Sequence, residues 1–272
     1  MKKEIPAVVY PGVAYAHYET KKIIGEQFIG EYGVCYIISG ILKVADAGQS
    51  YTFNAGDVLF YRKNFLAKFV KMPAEDIDFK SITVILNQEA LLEFSAQYSY
   101  LNDAPYKAKE AVLKLPYNVL LENYFKTLTP YFEAGLPEKL IHLKRQEALL
   151  LLLQVNPDLK NMLFNFSQPG KINLEAFMQQ NFRFNIDLKR LAFLTGRSLA
   201  AFKRDFEKIF HISPNRWLQQ RRLQEAHYLL QEEKKRPSAI YHEIGFESLS
   251  HFSYSFKKQY GVNPSDILNT NP

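Results

Sequence analysis

Two sets of side chains in the last third of the chain have the types and spacing to read the edge of a polar polymer. Ala200, Lys203 and Arg204 form the first set, and Leu249, Ser250 and Tyr254 form the second, fifty residues on. An arginine can place two parallel hydrogen bonds on an acceptor pair such as guanine O6 and N7, and lysine can reach the same atoms. Serine and tyrosine offer single hydrogen bonds, and leucine can meet a thymine methyl. Ser198 and Ser248 precede the two sets, and Ser253, Lys257 and Lys258 accompany the second, the two lysines suiting phosphate oxygens.

No other chemistry is written as plainly. The six histidines are His17, His142, His211, His227, His242 and His251, and only His17 precedes residue 140. The N-terminal half therefore cannot supply the imidazole cluster that a divalent first-row metal requires. The single Cys35 sits in an apolar run, which permits no internal disulfide and points to packing rather than to a reactive thiol. No nucleophile motif and no phosphate-cradling glycine loop occurs. The expectation is no catalytic residue, no cofactor, no bound metal and no enzymatic activity.

The elements that must hold the two sets are written twice. The first copy runs Asp187-Leu-Lys-Arg-Leu-Ala-Phe-Leu-Thr-Gly-Arg-Ser198, then Phe202, Phe206, Phe210 and Ser213-Pro214. The second has Ile240, Ile244-Gly245-Phe246, Ser248, Phe252, Phe256, Tyr260 and Asn263-Pro264. In each, a short helix meets a glycine that can turn at low steric cost, and a serine follows that can cap the next helix. That is a helix-turn-helix. Aromatic residues four apart share one helix face and point inward. Ala200, Lys203, Arg204 and Glu207 must then face outward in the first copy, and Leu249, Ser250, Ser253, Tyr254 and Lys257 in the second. An exposed face after a tight turn is what enters a major groove. A helical bundle with solvated outer faces is the competing reading, which two copies in register disfavour.

This stretch resembles the C-terminal DNA-binding domain of the AraC/XylS family of bacterial transcription regulators over roughly 171–268. The matching residues include Leu191-Ala192, Gly196, Arg204, Phe206, Ser213-Pro214, Trp217-Leu218, Arg222-Leu223, Gly245-Phe246, Phe252, Phe256, Gly261 and Pro264. The resemblance implies two three-helix units joined by a long helix, here about Asn215 to Gln231, with the base-facing residues at Ala200, Lys203, Arg204, Leu249, Ser250 and Tyr254. Three positions depart from the family pattern. His211 replaces a glycine, Tyr241 a small alanine, and Tyr254 an arginine. Cys35 lacks the surroundings of the alkyl-accepting cysteine in repair methyltransferases that carry a similar domain.

Charge divides the chain in the same place. Residues 1–170 carry 18 Lys and Arg against 18 Asp and Glu, whereas residues 171–272 carry 16 against 10, so the whole net charge of +6 lies in the second part. A basic domain beside a neutral one is the electrostatic footprint of a phosphate-binding module. Between Tyr32 and Leu86 short strands alternate with turns. They read Val34–Ser39, Ile41–Ala45, Tyr51–Phe53, Val58–Tyr61, Leu66–Val70 and Lys80–Leu86, with turns at Ser39-Gly40, Asp46-Ala47-Gly48 and Asn54-Ala55-Gly56-Asp57. This suggests a small sandwich or jelly-roll barrel, and Phe53–Phe60 resembles part of the cupin-like sensor domains of the same family. An apolar sensing pocket with few polar anchors, or a protein-docking surface, suits it.

Helices are expected at Glu89–Tyr98, Asn118–Thr127 and Pro137–Val155, the last with a stripe of Leu140, Leu143, Glu147 and Leu150-Leu151 and an end surrounded by apolar contacts. In the family a helix at this place often forms the dimer contact, while packing on the barrel serves as well. The link is read at Ser167-Gln-Pro-Gly170.

The expected architecture is α+β and multidomain. Residues 1–166 would form a cupin-like β-barrel with following helices, and residues 167–272 an all-α domain of two helix-turn-helix units. Function would be that of a sequence-specific transcription regulator, an activator by family inference, controlled by a small-molecule effector or a protein partner. Its partners would be double-stranded promoter DNA, RNA polymerase and a second copy in a homodimer. With no signal-like opening and no apolar run long enough for a bilayer, the protein is expected in the cytoplasm. A cupin-type enzyme fused to a DNA-binding domain is the alternative, which the missing histidine cluster disfavours.

Overall fold

The apolar run Tyr32–Ser39, buried almost without interruption, sets the layering of the N-terminal part, because only a strand covered on both faces loses the in-out alternation. The computed structural model describes residues 8–23, 27–46, 49–74, 77–101, 110–135, 137–167 and 169–269. Met1–Pro6, Ala47, Gly48 and Gln168, which belong to the opening, turn and link read from the sequence, lie outside the described residues. The chain divides into two compact units, 1–167 and 168–272.

In the first unit the strands are β1 (Val8–Tyr10), β2 (Val13–Tyr18), β3 (Lys22–Ile23), β4 (Phe28–Ile29), β5 (Tyr32–Ser39), β6 (Ile41–Ala45), β7 (Ser50–Asn54), β8 (Val58–Tyr61), β9 (Phe65–Leu66), β10 (Lys68–Met72), β11 (Phe79–Leu86) and β12 (Val112–Lys114). They form a six-stranded sheet β1-β2-β11-β5-β8-β12, a four-stranded sheet β3-β10-β6-β7 and the pair β4-β9. Cys35, Ile37, Leu59 and Phe79 of the larger sheet meet Leu42, Val44 and Phe53 of the smaller one in one core. The other face of the larger sheet, with Val34, Tyr36, Phe60, Ile82 and Val84, is covered by helices through Phe94, Leu121, Phe125, Leu149 and Leu152. Cys35 is 1% exposed within this packing.

Several expectations need correction. The strand read at Leu66–Val70 is two strands. Phe65–Leu66 pairs with β4, while Lys68–Met72 lies between β3 and β6. The chain changes sheets at Ala67, whose buried N–H donates to the Gln27 carbonyl at 3.0 Å. Strands β1 to β4 and β12 have no counterpart in the sequence reading. β2 has the composition Val-Ala-Tyr-Ala-His-Tyr, a weak signal, and is held by its ladder to β11. The smaller sheet also brings a cation inward. Lys71 pairs with Leu42 across the ladder, so the two share the inner face, and its Nζ stands 5.5 Å and 5.6 Å from the ring centres of Tyr18 and Phe79.

The helices of this unit are α1 (Gln88–Tyr98), α2 (Val119–Leu128), α3 (Tyr131–Ala134), α4 (Glu138–Val155) and α5 (Lys160–Leu163). Asn87 and Asn118 cap α1 and α2 through their side-chain oxygens. In α4 the buried side is Ile141, Ala148, Leu149, Leu152 and Leu153. The stripe read from the sequence is offset from it, and Leu143 and Leu150 remain 57% and 43% exposed, so the end of α4 is not surrounded by apolar contacts.

The second unit is all helical, with α6 (Leu174–Asn181), α7 (Leu188–Leu194), α8 (Leu199–Phe210), α9 (Pro214–Gln231), α10 (Pro237–Ile240), α11 (Leu249–Tyr260) and α12 (Pro264–Asn269). It holds two cores. Leu174, Met178, Leu191, Phe202 and Phe206 gather around Trp217 of α9 in the first. Ile240, Ile244, Phe252 and Phe256 gather around Leu223, Ala226, Leu229 and Leu230 of the same helix in the second. Both ends of α9 therefore serve as core.

Candidate nucleic-acid interface

The two copies fold to the same local plan. Ser198 and Ser248 each cap a helix by accepting from the third N–H beyond, Ala201 and His251, at 3.2 Å in both cases. Each turn runs through a left-handed glycine, Gly196 at φ +66° and Gly245 at φ +95°. A Cβ on Gly196 would stand 2.4 Å from the Gly170 carbonyl, so no larger residue fits that turn. The helices that follow, α8 and α11, are both 12 residues long and begin fifty residues apart.

Their apolar faces turn inward as the spacing requires. Phe202, Phe206, Phe252 and Phe256 are fully buried, whereas Phe210 and Tyr260 are half-buried. Ala200, Lys203 and Arg204 on α8, and Leu249, Ser250, Tyr254, Lys257 and Lys258 on α11, are exposed, with Ser253 half-buried between them. Equivalent positions differ in chemistry. Arg204 corresponds to Tyr254, Lys203 to Ser253, and Glu207 to Lys257.

Arg204 is 76% exposed at its side chain, and its Nη2 lies 3.4 Å from Asp205 Oδ1. Asp205 Oδ2 accepts from Arg197 Nε at 3.1 Å and lies 3.7 Å from Lys171 Nζ. The Arg197 hydrogen bond above all holds the Asp205 carboxyl below its ordinary range. Arg197 also donates to the carbonyls of Ile172 and Thr195, which fastens the first turn to the start of the unit.

The three departures from the family pattern have structural counterparts. His211 ends α8 in the left-handed region at φ 58°, where Gly261 ends α11 at φ 78°. An L side chain pays about 1 kcal/mol or more for that geometry. Tyr241 is half-buried against the second core, and α10 stops at Ile240 after four residues, against seven in α7. Tyr254 is 67% exposed.

Periodicity did not reveal the role of Arg222. From the middle of α9 its Nε and Nη2 donate to the carbonyls of Phe182 and Phe184 at 2.8 Å and 2.9 Å, and its Nη1 to that of Gly245 at 3.0 Å. One side chain thus joins the end of α6 to the turn before α11, both within the helical unit. Burial pushes its pKa down to about 10, which leaves it charged at neutral pH. Asn185 Nδ2 donates to Glu247 Oε1 at 2.8 Å beside it. Among the described residues no group of three or more His, Cys, Asp or Glu could hold a metal ion, and no helix is long and apolar enough to cross a membrane.

Two capped helices presenting exposed donors after matched turns, on a basic all-helical unit, define a double helix-turn-helix DNA-binding transcription regulator. The helix-turn-helix domain family matches residues 191–270, and the family described as ExsA N-terminal regulatory domain matches residues 32–163. Among similar proteins, the HTH-type transcriptional regulator ExsA of Pseudomonas aeruginosa is 27% identical over 239 residues, covering 86% of this chain and 85% of its own. The virulence regulon transcriptional activator VirF of Yersinia enterocolitica is 26% identical over 241 residues, covering 86% and 87%. A crystal structure of apo ToxT from Vibrio cholerae aligns with a TM-score of 0.47 at 15% identity, covering 96% of this chain and 98% of that one. The helix-turn-helix match is of the AraC type, and the chain resembles the AraC/XylS family of bacterial transcription regulators in both of its domains.

Proposed function

We propose that this chain is a promoter-specific transcription activator in which residues 1–166 receive a signal and residues 167–272 bind DNA and favour recruitment of RNA polymerase. The observation that carries it is the matched pair of capped helices, α8 and α11, with their outer faces exposed. Ser198, Ala200, Lys203, Arg204, Ser248, Leu249, Ser250, Ser253, Tyr254, Lys257 and Lys258 are the proposed DNA contacts, the two serines through hydroxyl hydrogens that capping leaves available. The full chain should bind its promoter duplex with an affinity that falls steeply as salt rises, because phosphate contacts release counterions. Protection should cover two segments one helical turn, about 34 Å, apart. No binding at low salt would overturn the regulator reading, and a single short protected segment would overturn the two-reader reading.

The signal is either a small-molecule effector in the sandwich or a protein. A protein contact is supported by Leu143 and Leu150, seven residues and so two turns apart on α4, both exposed. A second copy of the chain would suit the same pair. Leu143→Lys with Leu150→Lys should then lower the sedimentation-derived mass toward the monomer. Unchanged mass and unchanged control by the signal would exclude that face.

A further inference from the structure

Beside the second reader lies a polar cleft of about 490 Å³, walled by Arg216, Gln219 and Gln220 of α9 and by Ser255, Lys258 and Gln259 of α11. Two of these side chains are cations, and the amides and the hydroxyl are hydrogen-bond donors. Among the described residues that line it, none is a carboxylate. A pocket for an apolar effector is lined mainly by hydrophobic side chains, whereas donors and cations without acids suit an oxyanion. Gln219 Nε2 donates to Ser255 Oγ at 3.3 Å, so the two walls are joined at one point.

The place of the cleft narrows the source of that anion. Lys258 lies four residues after Tyr254, hence one turn further along nearly the same side of α11. The cleft therefore flanks the exposed face that the promoter-binding reading puts in a major groove. A groove is bordered by phosphates, and contacts to them fix the register of a reader without carrying sequence information.

We propose that this cleft receives a phosphate of the DNA backbone at the rim of the groove occupied by α11, which makes the connecting helix α9 a DNA contact through Arg216 and Gln220. The assignment rests on the promoter-binding reading. It differs from the base contacts in being indifferent to sequence.

The test uses the full chain, its Arg216→Gln and Lys258→Gln variants singly and together, and a mixed-sequence duplex titrated over a salt series. The slope of log affinity against log salt should become shallower by about 1 for each side chain removed, with the base preference on a selected site unchanged. Arg216 and Lys258 are exposed, so thermal unfolding should stay in place and a folding defect would be visible as such. Inorganic phosphate added without DNA should give no Arg216-dependent thermal shift. An unchanged slope in the double variant would overturn the proposal. An Arg216-dependent shift with phosphate alone, on an unchanged slope, would reassign the cleft to a free anion and equally overturn it. Failure of the unaltered chain to bind any duplex at low salt would instead sink the promoter reading itself, and is recognisable because the unaltered chain is the one that fails.

Discussion

Arg222 Nη1 donates to the Gly245 carbonyl at 3.0 Å while the rest of the same guanidinium holds Phe182 and Phe184. The turn of the second reader is thereby fastened to the first three-helix unit through a side chain of the helix that joins them. A separation of the two helices set before any DNA arrives spares the affinity that ordering them on binding would cost.

Arg222→Met keeps an unbranched apolar stem but lacks the guanidinium, so the three hydrogen bonds donated to Phe182, Phe184 and Gly245 are lost. Hydrogen bonds to charged groups are individually strong, and recovered desolvation of the guanidinium offsets only part, so the loss should be about 3 kcal/mol in denaturant unfolding. Arg222→Lys, with one ammonium in place of a fork, should recover less than half of it. A midpoint within error of the parent for Arg222→Met would show that the clamp contributes nothing.

Gly245→Ala and Gly261→Ala make a matched pair, both at positive φ. At Gly245 a Cβ would lie 2.8 Å from the Arg183 carbonyl oxygen and 2.9 Å from Arg222 Nε, whereas at Gly261 nothing lies within 4 Å. Backbone strain alone, about 1 kcal/mol, should be the cost at Gly261. The clash adds to it at Gly245, where the loss should exceed about 2 kcal/mol and DNA affinity should fall further than stability alone explains. Equal costs at the two sites would refute the steric account.

The readers should be unequal. Arg204 carries a fork that can take two acceptors of one guanine, while Tyr254 at the equivalent position has a single hydroxyl. Arg204→Ala should cost about 1–3 kcal/mol of operator binding and relax preference at one base pair. Tyr254→Ala should cost less and leave the preferred sequence nearly unchanged. A base-by-base operator scan in which the half-site under α11 is the more sharply specified would contradict this.

Acid should loosen the first turn before it reaches the cores. Asp205 has its pKa lowered from 3.8, first by the Arg197 hydrogen bond and then by Lys171 and Arg204. A folded-state pKa below the unfolded one means stability that is complete above the unfolded value and is lost as pH falls through it toward the folded value. Unfolding midpoints of the parent should therefore decline below about pH 4 more steeply than those of Asp205→Asn, and added salt should narrow the gap. Parallel acid profiles would show that Asp205 is not coupled to folding.

What could be read from the sequence was local. The caps at Ser198 and Ser248, the turns at Gly196 and Gly245, and the four-residue spacing of Phe202, Phe206, Phe252 and Phe256 each involve partners within one or two helical turns. A helix closes its own hydrogen bonds, so residue order alone determines which side of α8 or α11 is apolar and which is left for a partner. The part decided in three dimensions depends on groups far apart in the chain. β2 is a strand because β11 pairs with it, the chain changes sheets at Ala67 because two different partners flank that residue, and α4 hides Ile141, Ala148 and Leu152 rather than Leu143 because of what covers it. Arg222 reads as one more helix-surface cation until folding brings Phe182, 40 residues before it, and Gly245, 23 residues after it, within reach of one guanidinium. Long-range pairing carries no period along the chain, and a carbonyl looks the same in every residue.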